Sequence, residues 1–297
     1  MSAAAARIAV TGAGGRLGSA VVAALTRDGT GIPLPWSRPA YDLEDSGSAV
    51  RAMRLDRPDV VIHCAAWTDV DGCAGDPRLA MRRNAEAVGF LARACADQGA
   101  RLMVISSNEV FDGERTDGLG YSEDDPVSPR NAYGASKLAG ELEARREMGD
   151  GSGLWIVRTA WLYGPPGNDF PAKIVAASDR LPDDVALPVV IDETGSPTYT
   201  VDLAPACLRL LGESPGGTYH LVNGGSASRL EWATRVLARR RPGRSTRPVL
   251  LRDWVRASDT QPWGVLDGRR AADLGIRMRH WHDAMAVYLD AAEAGHP

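Results

Sequence analysis

The feature that most restricts this chain is a glycine-spaced turn set between its first apolar run and its first helical stretch. Residues 11–18 read TGAGGRLG, so Gly12, Gly15 and Gly18 recur at every third position. Before the turn, RIAV (7–10) has the length of a strand; after it, 15–28 carry apolar residues at i, i+3, i+4 and i+7. Glycines at such a turn let the backbone bend tightly and approach a pyrophosphate, which then rests on the free N–H groups and dipole of the helix start. The alternation continues. IPLPW (32–36), VVIHCAA (60–66), RLMVIS (101–106) and LWIVRTAW (154–161) read as strands, separated by helical spacing over 46–56, 76–98 and 131–148. Strands alternating with helices imply right-handed crossovers and a parallel sheet covered on both faces.

From about 165 the pattern loosens. Residues 165–188 hold several prolines, 198–212 have helical spacing, and TYHLV (218–222) is another short strand. Two helical stretches within 228–292 flank the basic connector ARRRPGRSTRP. The expected fold is α/β: a Rossmann-type doubly wound parallel sheet with a smaller, mostly C-terminal α/β substrate-binding lobe. Residues 1–164, with 198–224 returning to them, form the dinucleotide-binding unit. Residues 165–197 and 225–297 form the lobe, laid over the carboxyl edge of the sheet where open α/β sheets bind ligands.

Composition narrows the partner. A net charge of −4 and a charged fraction of 24% argue against nucleic acid or an anionic membrane as partner and leave a small molecule. No window approaches the ~18 apolar residues of a membrane span. Cys64, Cys73, Cys95 and Cys207 are widely spaced without a C-x-x-C pair, as expected of reduced thiols in a cytoplasmic protein. The start, MSAAAARIAV, has no charged segment ahead of its apolar residues and runs directly into the first strand, so no secretion leader is expected. A homodimer is left open.

The cofactor site follows from the turn. Gly12, Gly15, Arg16, Leu17 and Gly18 are its pyrophosphate-binding residues, with Ala65 and Ala66 facing them from the end of the third apolar run. The end of the second strand selects the dinucleotide, because an acid there suits ribose hydroxyls whereas a 2′-phosphate is met by Arg and hydroxyl donors. Here stand Trp36, Ser37 and Arg38, which favours NADPH; NADH is the alternative, with Arg38 then a solvated loop charge. Asp42 and Leu43 suit an adenine contact, although an Asp in a loop also serves as a turn residue. His63 ends a strand at the same edge, either touching the dinucleotide or filling space.

Residues 133–137 read YGASK, and Lys137 is one of only two lysines in a chain that otherwise uses Arg. Tyr133 and Lys137, four apart on a helix, lie on one face, so their head groups converge. A phenol with an ordinary pKa near ~10 is a better proton donor to a carbonyl when a cation lowers that value. Lys supplies the charge compactly, with donors free to reach a ribose hydroxyl. Upstream, VISSNEVFDG puts Ser106 and Ser107 at a strand's carboxyl end, where a hydroxyl can hold a substrate carbonyl.

Glycine turn, strand-end Ser and Tyr-x-x-x-Lys in this order resemble the extended short-chain dehydrogenase/reductase family. Within it the chain is most similar to the dTDP-4-dehydrorhamnose reductase group, over nearly its whole length. The segments that carry the likeness include DVVIHCAAWTDVDGCAGDP, RRNAEAVGFLARAC, VISSNEVFDG, YGASKLAGE, VRTAWLYG, DETGSPTYTVDLA and GTYHLVNGG. The resemblance implies reduction of the C4 ketone of a nucleotide-linked deoxysugar by NAD(P)H, with Ser107, Tyr133 and Lys137 as the catalytic set. Trp161 matches an aromatic that flanks the sugar. Two departures stand out. Where the group usually has Asp-Tyr after the Ser/Thr position, this chain has Asn108 and Glu109; Glu193 replaces the more usual Gln. Asn108, Glu109 and Glu193 are therefore candidate substrate contacts for a sugar other than the usual rhamnose precursor, a solvated Glu109 being the other reading. With Asn108 in place of an acid, dehydratase chemistry lacks its general acid.

The reading from sequence is hydride transfer to the sugar carbonyl, with Tyr133 giving the proton, Lys137 lowering the phenol's pKa, and Ser107 orienting the carbonyl. Arg158 or the arginines of 239–247 are candidates to grip the diphosphate. An epimerase of the same fold, a non-catalytic NADP-binding regulatory subunit, and a tailoring reductase acting on the keto-sugar of a specialised deoxysugar pathway are the rival readings. No metal is expected: His280 and His282 lack a third ligand nearby, and a turn accounts for Asp69, Asp71 and Asp76.

Overall fold

The computed structural model describes residues 5–149 and 151–293; the outermost residues of the two expected units, 1–4 and 294–297, lie outside the described residues. The chain begins β1 (Arg7–Thr11), α1 (Arg16–Asp28), β2 (Ile32–Trp36), α2 (Ser48–Asp56), β3 (Val60–His63), α3 (Val70–Gly75) and α4 (Pro77–Met81). A π-helical turn, Arg82–Glu86, leads into α5 (Ala87–Gln98), then β4 (Arg101–Ser107), α6 (Ala132–Met148) and β5 (Leu154–Thr159). Next come β6 (Leu162–Tyr163), α7 (Phe170–Asp179), β7 (Leu187–Val190), β8 (Thr194–Gly195), β9 (Thr198–Tyr199), α8 (Thr200–Glu213) and β10 (Gly217–His220). The remainder is β11 (Ala227–Ser228), α9 (Arg229–Arg240), β12 (Thr246–Val249), β13 (Trp263–Gly264), α10 (Arg269–Asp273) and α11 (Trp281–Glu293).

Six strands form one parallel sheet in the order β10-β5-β4-β3-β1-β2. Successive side chains of a strand point to opposite faces, and the core divides accordingly. Ile8, Val10, Val60, Ile62, Met103, Ile105, Trp155 and Val157 face α1 and α8; Ala9, Val61, Leu102, Val104, Leu154 and Ile156 face α2, α5 and α6. The chain leaves β1 toward β2 on one side and toward β3 on the other, so the strand order reverses between β1 and β3. Outside the carboxyl ends of those strands lies the crevice where such sheets take ligands.

The structure departs from the sequence reading at three places. The helix expected over 76–98 is α4, the π turn and α5, because the π turn carries Asn84 inward: its Nδ2 donates to Trp67 O and Ser136 Oγ, and its Oδ1 accepts from Trp67 N. The third strand ends at His63 instead of 66, and the fifth at Thr159, two residues before Trp161 takes a left-handed backbone at φ 45°. Several short strands of the second half carry no period of their own. Around them Tyr163, Tyr199, Trp232 and Trp281 form a separate aromatic core. All four cysteines are free. Among the described residues no helix is long and apolar enough to cross a membrane.

Candidate active site

A cleft of about 850 Å³ opens over the carboxyl edge of the sheet. Gly12, Gly15, Arg16, Leu17, Ser37, Arg38, Asp42, Leu43, Ala65 and Ala66 all line it. Gly12 has φ +62° and a Cβ there would lie 3.0 Å from the Ala65 backbone, so only glycine lets the turn meet the end of β3. Helix α1 starts after Gly15 with no side-chain cap and no acid in its first turn, leaving its N–H groups to an anion. Gly18 is the exception among the expected contacts. It does not line the cleft; a Cβ there would lie 2.2 Å from Gly12 O, so Gly18 serves the packing of the turn on the helix. Arg16 reaches across to the second half of the chain, its Nε donating to Gly164 O at 3.0 Å.

The adenosine end has mixed character. Arg38 makes no ion pair among the described residues, while Asp42 Oδ1 accepts from Glu44 N at 3.0 Å in a turn. His63 does not line the cleft: it is buried, shares a hydrogen bond with Thr11 Oγ1 at 2.9 Å, and burial pushes its pKa down to about 3.

Ser107, Tyr133 and Lys137 meet in the middle of the cleft. Ser107 ends β4 and caps a 3-10 turn, accepting from Glu109 N at 3.2 Å. The other two ride on α6, whose start is fixed from two directions. Asn131 caps it, Oδ1 accepting from Gly134 N at 2.8 Å, while its Nδ2 donates to Glu109 Oε2 at 2.8 Å and Asp259 O at 2.9 Å. Gly134 has no side chain because a Cβ would sit 2.0 Å from Glu109 O. Lys137 is buried and its Nζ donates to Ile105 O at 2.7 Å.

The electrostatics correct the sequence reading. Burial raises the Tyr133 pKa, with the Ser107 hydroxyl opposing and Glu109 adding; Lys137 is not among the causes. The phenol therefore holds its proton firmly. Lys137 itself is brought down to about 8 by burial, against the upward pull of Glu141.

The far end is framed by Trp161, Glu109, Glu193, Arg229 and Arg256. Trp161 lies against Gly195, where a Cβ would fall 2.5 Å from the indole, and Arg229 stacks 3.6 Å from its ring centroid. A tryptophan held at positive φ costs about 1–3 kcal/mol and marks a functional site more often than a core. Arg229 also pairs with Glu193 at 2.8 Å. Glu109 is buried with a pKa raised to about 6, by burial first and then by Glu193, against the opposing Asn131 hydrogen bond. It is not solvated. Asn108 lines the cleft while donating from Nδ2 to Gln261 Oε1 at 2.9 Å.

A family model described as the RmlD substrate binding domain matches residues 6–294. The chain is 38% identical to the dTDP-4-dehydrorhamnose reductase of Mycobacterium tuberculosis over 295 residues, 96% of this chain and 93% of the relative. It is 36% identical to the dTDP-4-keto-6-deoxy-D-glucose reductase of Streptomyces niveus, covering 93% and 94% of the two chains. The chain belongs to the dTDP-4-dehydrorhamnose reductase family. A crystal structure of the Bacillus anthracis dTDP-4-dehydrorhamnose reductase in complex with NADP matches with a TM-score of 0.88 at 30% identity, over 96% of this chain and 98% of that one.

Against that family frame, the arginines chosen from sequence are misplaced. Arg158 is buried in an ion pair with Glu141 at 2.7 Å, Arg239 pairs with Asp290 and Glu293, and Arg241 with Asp179. Arg244 is occupied by the carbonyls of Pro182, Val185, Ser178 and Leu181. The cations that line the far end, beside Trp161 and Glu193, are Arg229 and Arg256. Arg229 follows β11, whose pairing with β8 brings it beside Glu193, and Arg256 lies in an irregular stretch; neither has a periodic signal. Asp69 and Asp76 cap α3 and α4, and Asp71 takes Arg256 Nε at 3.2 Å. Among the described residues no group of three or more His, Cys, Asp or Glu is placed to hold a metal ion.

Proposed function

We propose that the protein reduces the C4 ketone of a dTDP-linked 4-keto-6-deoxyhexose with NADPH. The observation that carries this reading is that Ser107, Tyr133 and Lys137 line the same cleft as an uncapped, glycine-bounded helix start. The names of the relatives above supply the substrate class. The cradle fits a dinucleotide: Gly12 and Gly15 leave room for a pyrophosphate, and Ser37 with Arg38, without an acid, favours the 2′-phosphate of NADPH over NADH. Residues 1–164 with 198–224 hold the cofactor, and 165–197 with 225–297 hold the sugar nucleotide.

Bound NADPH supplies the hydride that adds to the sugar C4 carbonyl carbon. Ser107 Oγ donates to the carbonyl oxygen and aligns it. Tyr133 passes its proton to that oxygen as negative charge builds there, so a phenol that keeps its proton at neutral pH suits this direction. Lys137, held on the Ile105 carbonyl one turn along α6 from the tyrosine, offers its remaining donors to a ribose hydroxyl. Trp161 walls the sugar, and Arg229 with Arg256 lies where the diphosphate would need cations.

The test is NADPH oxidation with dTDP-4-keto-6-deoxyglucose, with and without a 3,5-epimerase, repeated with NADH. Turnover with NADPH, slower with NADH, is expected. NADPH binding without turnover under either condition would overturn the reading and put a non-catalytic NADP-binding subunit in its place.

A further inference from the structure

Tyr133, Lys137 and Glu141 stand four residues apart on α6, so they share one helix face, each a turn beyond the last. The chemistry above uses the first two. Glu141 is 1% exposed and does not line the cleft. Arg158, from β5 and 5% exposed, closes a fork on it, with Nε to Oε1 at 3.0 Å and Nη2 to Oε2 at 2.7 Å. Ser106, next to Ser107 at the end of β4, donates from Oγ to the same Oε1. Arg158 also lies over the Phe111 ring, 5.2 Å from its centroid. A carboxylate is thus locked behind the catalytic set by β4 on one side and β5 on the other.

Such a pair is a poor device for stability alone. Taking two charges out of water costs about as much as their attraction returns, and apolar residues of the same volume often do as well. What the pair does achieve is a fixed negative charge one helical turn from a buried ammonium. We propose that Glu141, clamped by Arg158 and Ser106, is a positioning residue that keeps Lys137 charged and seated on the Ile105 carbonyl.

The surroundings of Lys137 single out Glu141. On α6 it is faced by Tyr133 and Glu141. His63 and Cys64 act on it from the end of β3, Ile105 O accepts from it on β4, where Ser106 turns its hydroxyl to Glu141, and Glu109 acts on Tyr133. Arg158 stands behind Glu141. Burial works against the ammonium, and Glu141 is the first group opposing it, followed by Cys64. The inference rests on the reductase reading for its effect on turnover; the charge on Lys137 can be measured without it.

The chain contains only two lysines, Lys137 and Lys173, so ε-carbon-labelled lysine gives an uncrowded titration. In the wild-type chain the Lys137 midpoint is expected well below the ordinary lysine value of 10.5. Glu141→Gln lowers it further, by about one pH unit, and the basic limb of the reductase pH profile moves down with it while activity at lower pH is retained. Should that variant fail to fold around an unpaired Arg158, the double variant Glu141→Gln with Arg158→Met leaves no charge buried there and is expected to shift the midpoint downward by less, because the Arg158 cation is gone as well. A Lys137 midpoint equal to wild type in the folded variant, with activity reduced evenly across pH, would overturn the proposal. A wild-type chain without turnover but with the shifted titration would sink the reductase reading and leave the role of Glu141 standing.

Discussion

Tyr133 keeps its proton because it is buried, and Lys137 stays charged against burial; the reduction asks for both. Tyr133→Phe removes the proton while keeping the ring, so kcat/KM should fall by roughly 10²–10⁴ with NADPH affinity nearly unchanged, as read by steady-state kinetics and cofactor titration. Glu109 makes a prediction of a different kind. Its carboxyl holds a proton more tightly in the folded chain, at about 6, than at its ordinary value of 4.5. The folded state therefore binds more protons in that window, and the residue's contribution to stability falls as pH rises from 4 to 7, by about 2 kcal/mol. Urea unfolding at pH 4 and pH 7 should show Glu109→Gln gaining that much on the wild type between the two; an unchanged difference would place the carboxylate in a less hostile setting. At this scale the sequence was legible where chemistry and spacing coincide, as in YGASK and the glycine turn. Arg229 and Arg256 were illegible because strand register and an irregular segment, neither of which leaves a period, bring them to the cleft.

Among the elements, α6 connects sheet and chemistry. Its N-cap Asn131 is bonded to Glu109, Gly134 lets its first turn rest on the Glu109 carbonyl, and Gly140 lets its middle approach Asn84 O in the π turn, where a Cβ would fall at 2.3 Å. Helix propensity favours Ala over Gly by about 1 kcal/mol, yet Gly134→Ala should destabilise by about 2–3 kcal/mol and lower turnover, because the added methyl displaces the helix from the Glu109 turn that follows β4. Thermal unfolding checks the sign: a more stable variant would contradict the close approach. The helical spacing of 131–148 announced α6, and its two interior glycines were the available sign of tight contacts. The π turn left no such mark, since its residues read as ordinary helix.

In the whole molecule, the sheet was legible because each of its strands is four or more residues long and each crossover contains a helix. The lobe was not, because β6, β8, β9, β11 and β13 are two residues each, too short to show alternation. Two buried histidines govern the response to acid. His63 and His220 are both held to about 3, by burial first, from an ordinary 6.5. The unfolded chain binds protons that the folded chain refuses, so stability is lost as pH falls below 6.5, by about 2.5 kcal/mol for the two together at pH 5.5. In a Glu109→Gln background, where the opposing carboxyl is absent, unfolding midpoints should fall from pH 7 to pH 5, and a flat profile there would contradict the burial of both rings. Reduction by this chain requires that a hydride pass within the cleft to the sugar C4. NADPH carrying deuterium at both nicotinamide C4 positions, turned over with the dTDP-linked 4-keto sugar, tests it by mass spectrometry and NMR of the product. One deuterium at sugar C4, formed far more slowly with Tyr133→Phe, is the predicted result; a product without label there would contradict the mechanism.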